Sequence, residues 1–274
     1  MKKKRSPGPK SLRQAKTMCL LFFSYQVTPG YRLVVAANRD EFLSRPTAPL
    51  AFLNKEKTIL AGQDLHGGGT WLGITAQLKF AAITNYRDPQ SHKPDAPSRG
   101  EILKHYLAGD LDACQYIHNL AEYGSRYNGF NLILGDKDEL YYYSNISVGP
   151  QKLGPGFYGL SNNLLDVAWP KVVRGKKLLR SHMIETEKIE PVEILSLLED
   201  TYCPPDDDLP DTQVGLEWER LLSTIFIDGT DYGTRSSAVI TVTGEGEVEF
   251  VEKTMQRSSE QNLSSYISRF VMNA

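Results

Sequence analysis

Residues 18–41 read MCLLFFSYQVTPGYRLVVAANRDE, and the reading of this stretch decides the fold. Two apolar runs, 20–23 and 33–37, flank Thr28-Pro29-Gly30. Val, Phe and Tyr suit a pleated, buried surface and Pro-Gly is turn chemistry, so the stretch predicts a buried β-hairpin. The second run stops at Asn38-Arg39-Asp40-Glu41. Antiparallel pairing returns that polar cluster to the start of the first strand, where Cys19 stands. A thiol, a guanidinium and carboxylates then share one sheet edge.

Similar pairs follow. Residues 71–75 and 79–84 form a second apolar pair ending at Asn85, and 130–134 and 140–143 a third around Asp136-Lys137-Asp138. A short strand over 157–160 stops at Ser161-Asn162-Asn163. Arg235 begins the run 237–243, which a Gly-Glu-Gly turn joins to 248–253. Residues 45–53 read as irregular. Ser98 with Glu101 predicts a capping box, and the helix it opens carries Ile102, Leu103, Tyr106 and Leu107 on one stripe. Asp110 opens a second helix bearing Cys114, which reads as core. Pro170 and Pro191 fit the first turns of two more, and 217–224 is a short one. Leu263, Tyr266, Ile267, Phe270 and Val271 fall at helical spacing, so 256–274 is expected to be a helical tail docked on the body, with a membrane or partner helix as the alternative.

Strands that are nearly all apolar need cover on both faces, and paired helices supply it. This predicts an α+β fold with mostly antiparallel sheets, stacked with helices outside. Residues 18–255 are expected to form one domain.

Composition narrows the function. The net charge of −2 argues against bulk nucleic-acid binding. No apolar run approaches the ~20 residues that a spanning helix needs. Residues 1–17 hold seven Lys and Arg and no acid; setting those aside leaves 24 basic against 33 acidic residues, a charge of −9. This leader lacks the apolar core of a secretory signal. It reads either as a basic disordered arm or as a start set too early, with Met18 the initiator. Three cysteines, Cys19, Cys114 and Cys203, and five histidines show no metal-ligand spacing. With no secretory signal, the sparse cysteines point to a reducing cytosol.

Several blocks carry a family resemblance: Met18-Cys19, Asn38-Arg39-Asp40-Glu41, Gly68-Gly69-Thr70-Trp71, Thr84-Asn85-Tyr86-Arg87, Tyr127-Asn128-Gly129-Phe130, Ser161-Asn162 with Trp169-Pro170-Lys171, and Tyr232-Gly233-Thr234-Arg235. Together they resemble the NRDE family, also called the transport and Golgi organisation protein family. That family resembles the N-terminal-nucleophile hydrolases, which implies a four-layer αββα sandwich.

The resemblance implies a chemistry. In cysteine amidases of this kind the nucleophile is the first residue, which Cys19 would match. The α-amine, with a pKa near ~7.7–8, takes the proton of a thiol near ~8.5 and returns it to the leaving group. Arg39 and Arg235 would match the arginines that favour thiolate, and Asn85 and Asn162 the oxyanion and substrate asparagines. Asp40 would hold an arginine or the ammonium, although the amidases place their aspartate three residues beyond the arginine. No cofactor is required. Each residue also has a plain structural reading: Cys19 as core, Arg39-Asp40 as an ion pair at a strand end, Glu41 as a solvated neighbour, Trp71 and Trp169 as core anchors, and Gly67-Gly68-Gly69 as a backbone constraint. The alternative function is a non-catalytic carrier of haem, lipid or acyl-coenzyme A, as the animal relatives imply, or a trafficking protein.

Overall fold

The structure, a computed structural model, describes residues 18–186, 188–257 and 263–273. The leader expected over 1–17 lies outside the described residues, as do 258–262 and 274 of the expected tail.

The first hairpin is β1 (Met18–Thr28) and β2 (Tyr31–Phe42), turned at Gly30 with φ 77°. It is followed by β3 (Thr47–Phe52), β4 (Ile59–Asp64), β5 (Leu72–Thr75) and β6 (Phe80–Asn85). Helices α1 (Gly100–Ala108) and α2 (Ala113–Tyr123) come next. Then come β7 (Phe130–Gly135), β8 (Leu140–Ser144), β9 (Gln151–Lys152) and β10 (Gly156–Leu160). Helices α3 (Pro170–Glu185), α4 (Pro191–Leu197) and α5 (Leu216–Leu222) precede β11 (Tyr232–Thr243), β12 (Glu247–Arg257) and β13 (Leu263–Asn273).

These strands make two sheets, both antiparallel. One runs β10-β1-β2-β11-β12-β13 and the other β3-β4-β5-β6-β7-β8-β9. Alternation along a strand sends its residues to two different cores. Leu21, Phe23, Leu33, Val35 and Ala37 pack with the second sheet, whose own residues join Ile102, Leu103 and Tyr106 of α1. Leu20, Phe22, Val34 and Ala36 pack instead with Val172 and Leu179 of α3 and Ile194 of α4. The layers therefore run helix pair, sheet, sheet, helix pair. Each fully buried Leu or Phe stabilises this arrangement by roughly 1.5–3 kcal/mol. The α+β class and the antiparallel sheets are those expected from the sequence.

Five local expectations are corrected. The tail is not helical: β13 pairs along its length with β12, and Phe270 meets Phe52 edge-on at 5.5 Å between ring centres. A run with Ser264, Ser265, Ile267, Ser268 and Val271 is a weak helix former, and as a strand it satisfies the backbone groups that β12 would otherwise expose. Residues 45–53 are not irregular, because β3 closes one edge of the second sheet. The Ser98 capping box does not form; Arg99 is the N-cap of α1 and makes no side-chain cap. The next helix is capped by Asp112, not Asp110, through Gln115 N–H at 2.8 Å. Cys114 lies on the exposed face of that helix and is not core. The expected core anchors Trp71 and Trp169 are both buried. A Cβ at Gly69 would lie 2.4 Å from the Gly100 carbonyl carbon, so the Gly-rich loop is a close backbone approach.

Candidate active site

The hairpin register sets Cys19 opposite Arg39 and Met18 opposite Asp40. Cross-strand partners share a face and chain neighbours do not. The tetrapeptide is thereby divided. Arg39 and Glu41 fall with Cys19 on the side that meets the second sheet, where Arg39 Nη1 donates to Thr47 Oγ1 at 2.8 Å. Asn38 and Asp40 fall on the side of α3 and α4. Arg39 and Asp40 therefore form no ion pair, contrary to the structural alternative for them.

Asn38 is fully engaged. Its Nδ2 donates to Leu198 O at 2.9 Å and Ile225 O at 2.8 Å, and its Oδ1 accepts from Ser237 Oγ at 2.7 Å. It fastens the helix layer to the sheet. Asp40 is completely buried and only half satisfied. Oδ1 accepts from Thr234 Oγ1 at 2.7 Å, while Oδ2 has no hydrogen-bond partner among the described residues. Tyr232 donates its hydroxyl to the Asp40 backbone carbonyl at 3.0 Å. Burial raises the Asp40 carboxyl to about 6, against the opposing charge of Lys171 and the Thr234 hydrogen bond. Lys171, buried in the first turn of α3, donates to Leu222 O at 2.8 Å and is lowered by burial to about 8.

On the opposite side, Cys19 is 8% exposed. Burial pushes its thiol up to about 12; Arg39 and Arg99 pull it down, while Asp40 and Glu41 add to the rise. Glu41 is buried, not solvated as expected. It accepts from Phe42 N–H at 2.8 Å and lies 3.5 Å from Arg45, which forks onto Asp64. Arg235 occupies the bulge between the Thr234–Asp40 and Ser236–Arg39 pairs and donates to Leu43 O. Burial and repulsion from Arg39 lower its pKa, and Glu41 offsets part of this. Arg99 reaches in from the start of α1. It donates to Gly129 O at 2.8 Å, and burial lowers it to about 10 while Cys19 and Glu41 hold it up.

The two asparagines are brought together. Asn162 Nδ2 donates to Asn85 O at 2.8 Å, and Arg87 N–H donates to Asn162 O at 2.8 Å. β10 pairs with β1 as far as Leu160 opposite Leu21, and Asn162 follows two residues beyond the end of that strand. Of the six residues named from the sequence, Arg39 pairs with Cys19, Arg235 adjoins the Ser236 partner of Arg39, and Asn162 bonds the Asn85 carbonyl. Asp40 stands behind the sheet, next to the strand backbone on the amino side of Cys19.

Arg99 and Lys171 were missed as site residues. Lys171 lies in the quoted Trp169-Pro170-Lys171 block and Arg99 in the helix-opening run, but only the packing of α3 and α1 shows which charges they approach. Among the described residues, no cluster of His, Cys, Asp or Glu could hold a metal ion. No described helix is long and apolar enough to cross a membrane. Cys19 lines neither of two clefts formed by the described residues. One, of about 330 Å³, lies beside Arg235. The other, of about 610 Å³, lies at the far end of the hairpin around Thr28 and Pro29.

Comparison with known sequences now separates kinship from chemistry. The family described as Transport and Golgi organisation 2 matches residues 18–257. The chain belongs to that family. It is 36% identical to the Transport and Golgi organization 2 homolog of Mus musculus, over 87% of this chain and 93% of that protein. It is likewise 36% identical to the Homo sapiens homolog, over 92% and 97% of the two chains. The Drosophila melanogaster Transport and Golgi organization protein 2 is 28% identical over 87% and 92%. The family expected from the sequence blocks is thus the family found. The matched region begins at Met18, one residue before Cys19, and ends at Arg257, before β13.

Proposed function

We propose that this family member carries an N-terminal-nucleophile hydrolase-like site, with Cys19 acting by acyl transfer on a small amide or thioester when Cys19 is the first residue of the chain. The observation that supports it is the pairing of Cys19 with Arg39 on the face between the sheets. The freed α-amine would take the thiol proton, and the thiolate would attack the carbonyl carbon. The second amide hydrogen of Asn162 would donate to the oxyanion. The amine would then return the proton to the departing nitrogen or sulfur, and water would release the acyl group by the same route.

The place of Asp40 fits this reading in a way the amidase pattern does not suggest. It lies beside the backbone that would become the α-amine, and its Oδ2 has no hydrogen-bond partner among the described residues. It addresses the amine, not the thiol. While Met18 precedes Cys19 the amine is acylated and the thiol is held high, so the site is closed. The test is labelling with an activated ester or fluorophosphonate-type probe of a chain that begins at Cys19. Labelling of that chain, lost in Cys19→Ala and absent when Met18 is retained, is the expected result. Full labelling of Cys19→Ala would sink the reading.

A second reading, a carrier of haem or lipid in the cytoplasm, draws on the 610 Å³ groove. Tyr31, Phe157, Met183 and Ile184 give it apolar walls and Arg180 a cation. Haemin titration tests it: a Soret band saturating at one equivalent and lost on Met183→Ala supports it, while a spectrum that never saturates does not.

A further inference from the structure

The 330 Å³ cleft opens where β2 ends, β11 begins and β12 ends, the same end of the sheet as Cys19. Leu43, Phe226, Ile227, Met255 and Leu263 give it apolar walls. Among the described residues, Arg235 is the one charged side chain that lines it. Ordinary ligand pockets are about 300–1,000 Å³, mostly apolar, with few polar groups that fix orientation. This cleft lies at the small end of that range, and Thr234 and Gln256 join Arg235 as polar groups in its lining.

Arg235 is also short of an anion. It spends Nη1 on the neutral carbonyl of Leu43 and enters no ion pair among the described residues. The nearby carboxylates are committed elsewhere. Glu41 accepts from Phe42 N–H and approaches Arg45, and Glu252 accepts from Leu50 N–H at 2.8 Å and from Thr254. Arg39, whose cross-strand partner Ser236 adjoins Arg235, adds positive charge behind it and is likewise in no ion pair. A guanidinium on an apolar wall is satisfied best by a planar, bidentate anion carrying one charge, which is a carboxylate. A phosphate would bring a second charge that the cleft lining does not match.

We propose that this cleft binds a small apolar monocarboxylate, its chain against Leu43, Phe226, Ile227 and Met255 and its carboxylate on Arg235. β11 is the next strand but one from β1, so the cleft lies two strand spacings of roughly 4.8 Å across the sheet from the strand of Cys19. That is a subsite for the acid end of a substrate, or a ligand site in its own right. Binding does not depend on turnover at Cys19.

Calorimetric titration of the full chain with octanoate, octanamide and octyl phosphate tests this. Octanoate is expected to bind at one equivalent, with octanamide about tenfold weaker or worse for loss of the charged hydrogen bonds. Arg235→Gln should lose about as much and Arg235→Lys less, while Leu263→Trp, on the half-exposed rim, should block the cleft. Should Arg235→Gln fail to fold, the octanamide comparison and Leu263→Trp still decide. Cys19→Ala should bind octanoate unchanged. No octanoate binding, equal binding of octanamide, or tighter binding of octyl phosphate would each overturn the proposal. Octanoate binding in a chain that begins at Cys19 and is still not labelled there would refute the catalytic reading and leave this one standing.

Discussion

Cys19 and Arg39 face each other across adjacent strands, on the side of the six-stranded sheet that meets the second sheet. Met18 pairs with Asp40 one step along, and Asp40 falls on the other side. One hairpin thus delivers a thiol with its guanidinium to one layer boundary, and a buried carboxylate to the next.

Cysteine reactivity should follow this burial. Cys114 and Cys203 are exposed, whereas the Cys19 thiol is raised to about 12. With residues before Cys19 present, iodoacetamide at pH 8 is expected to alkylate Cys114 and Cys203 in the native protein, and Cys19 only on unfolding. Peptide mass mapping checks it; rapid native labelling of Cys19 would contradict the closed site.

Asp40 predicts a pH dependence of stability. Its carboxyl is raised from 3.8 to about 6, so the native state holds the proton more tightly than the unfolded chain. This contribution is complete below the unfolded value and is lost as pH rises through about 6. Relative to Asp40→Asn, the parent should lose on the order of 1–3 kcal/mol between about pH 4 and 6. Lys171 acts at higher pH: lowered from 10.5 to about 8, it adds stability as pH rises across that interval. Urea midpoints measured for parent and variant across the range give the slope, and parallel curves would refute it.

Asn38→Ala removes three buried hydrogen bonds and strands two carbonyls and a hydroxyl. A loss of about 2–4 kcal/mol is expected, because unsatisfied buried groups cost about 1–3 kcal/mol each and water replaces some partners. Its effect on carboxylate binding at Arg235 should be nil while the variant remains folded. Chemical denaturation and octanoate titration of the same preparation separate the two.

Gly175→Ala should destabilise even though alanine favours helices by about 1 kcal/mol. An added Cβ would lie 2.0 Å from Phe22 Cζ, and Phe22 is buried between β1 and α3. Overpacking of this kind costs about 1–3 kcal/mol, so a net loss is expected, with Phe22→Leu restoring part of it in the double variant. A rise in melting temperature on Gly175→Ala alone would contradict the packing.

Much of the layout was legible in the sequence because short continuous apolar runs and Pro-Gly or Asp-Lys-Asp turns act locally. The hairpin, the strand ends at Asn85 and Asn162, and helices at Pro170 and Pro191 all follow from neighbours in the chain. What the sequence hid depends on distant partners. Leu263 to Val271 satisfies helical spacing as well as strand spacing, and only the open edge of β12 decides between them. Glu41 looks solvated beside charged residues, yet the second sheet covers it. Arg99 and Lys171 reach the site through helices whose placement no spacing specifies. The division of Asn-Arg-Asp-Glu was within reach, since alternation is a property of any strand. The single question of which face holds the thiol was enough to predict it.

That division fixes the length of the turn. Shortening or lengthening the chain between Thr28 and Tyr31 by one residue would slide β2 past β1 and exchange its sides, presenting Asn38 and Asp40 to the thiol and burying Arg39 among the helices. Steps of two would keep the sides and merely move the tetrapeptide along the strand. The few residues around Pro29, at the end farthest from Cys19, thus act as a parity counter for the chemistry at the other end.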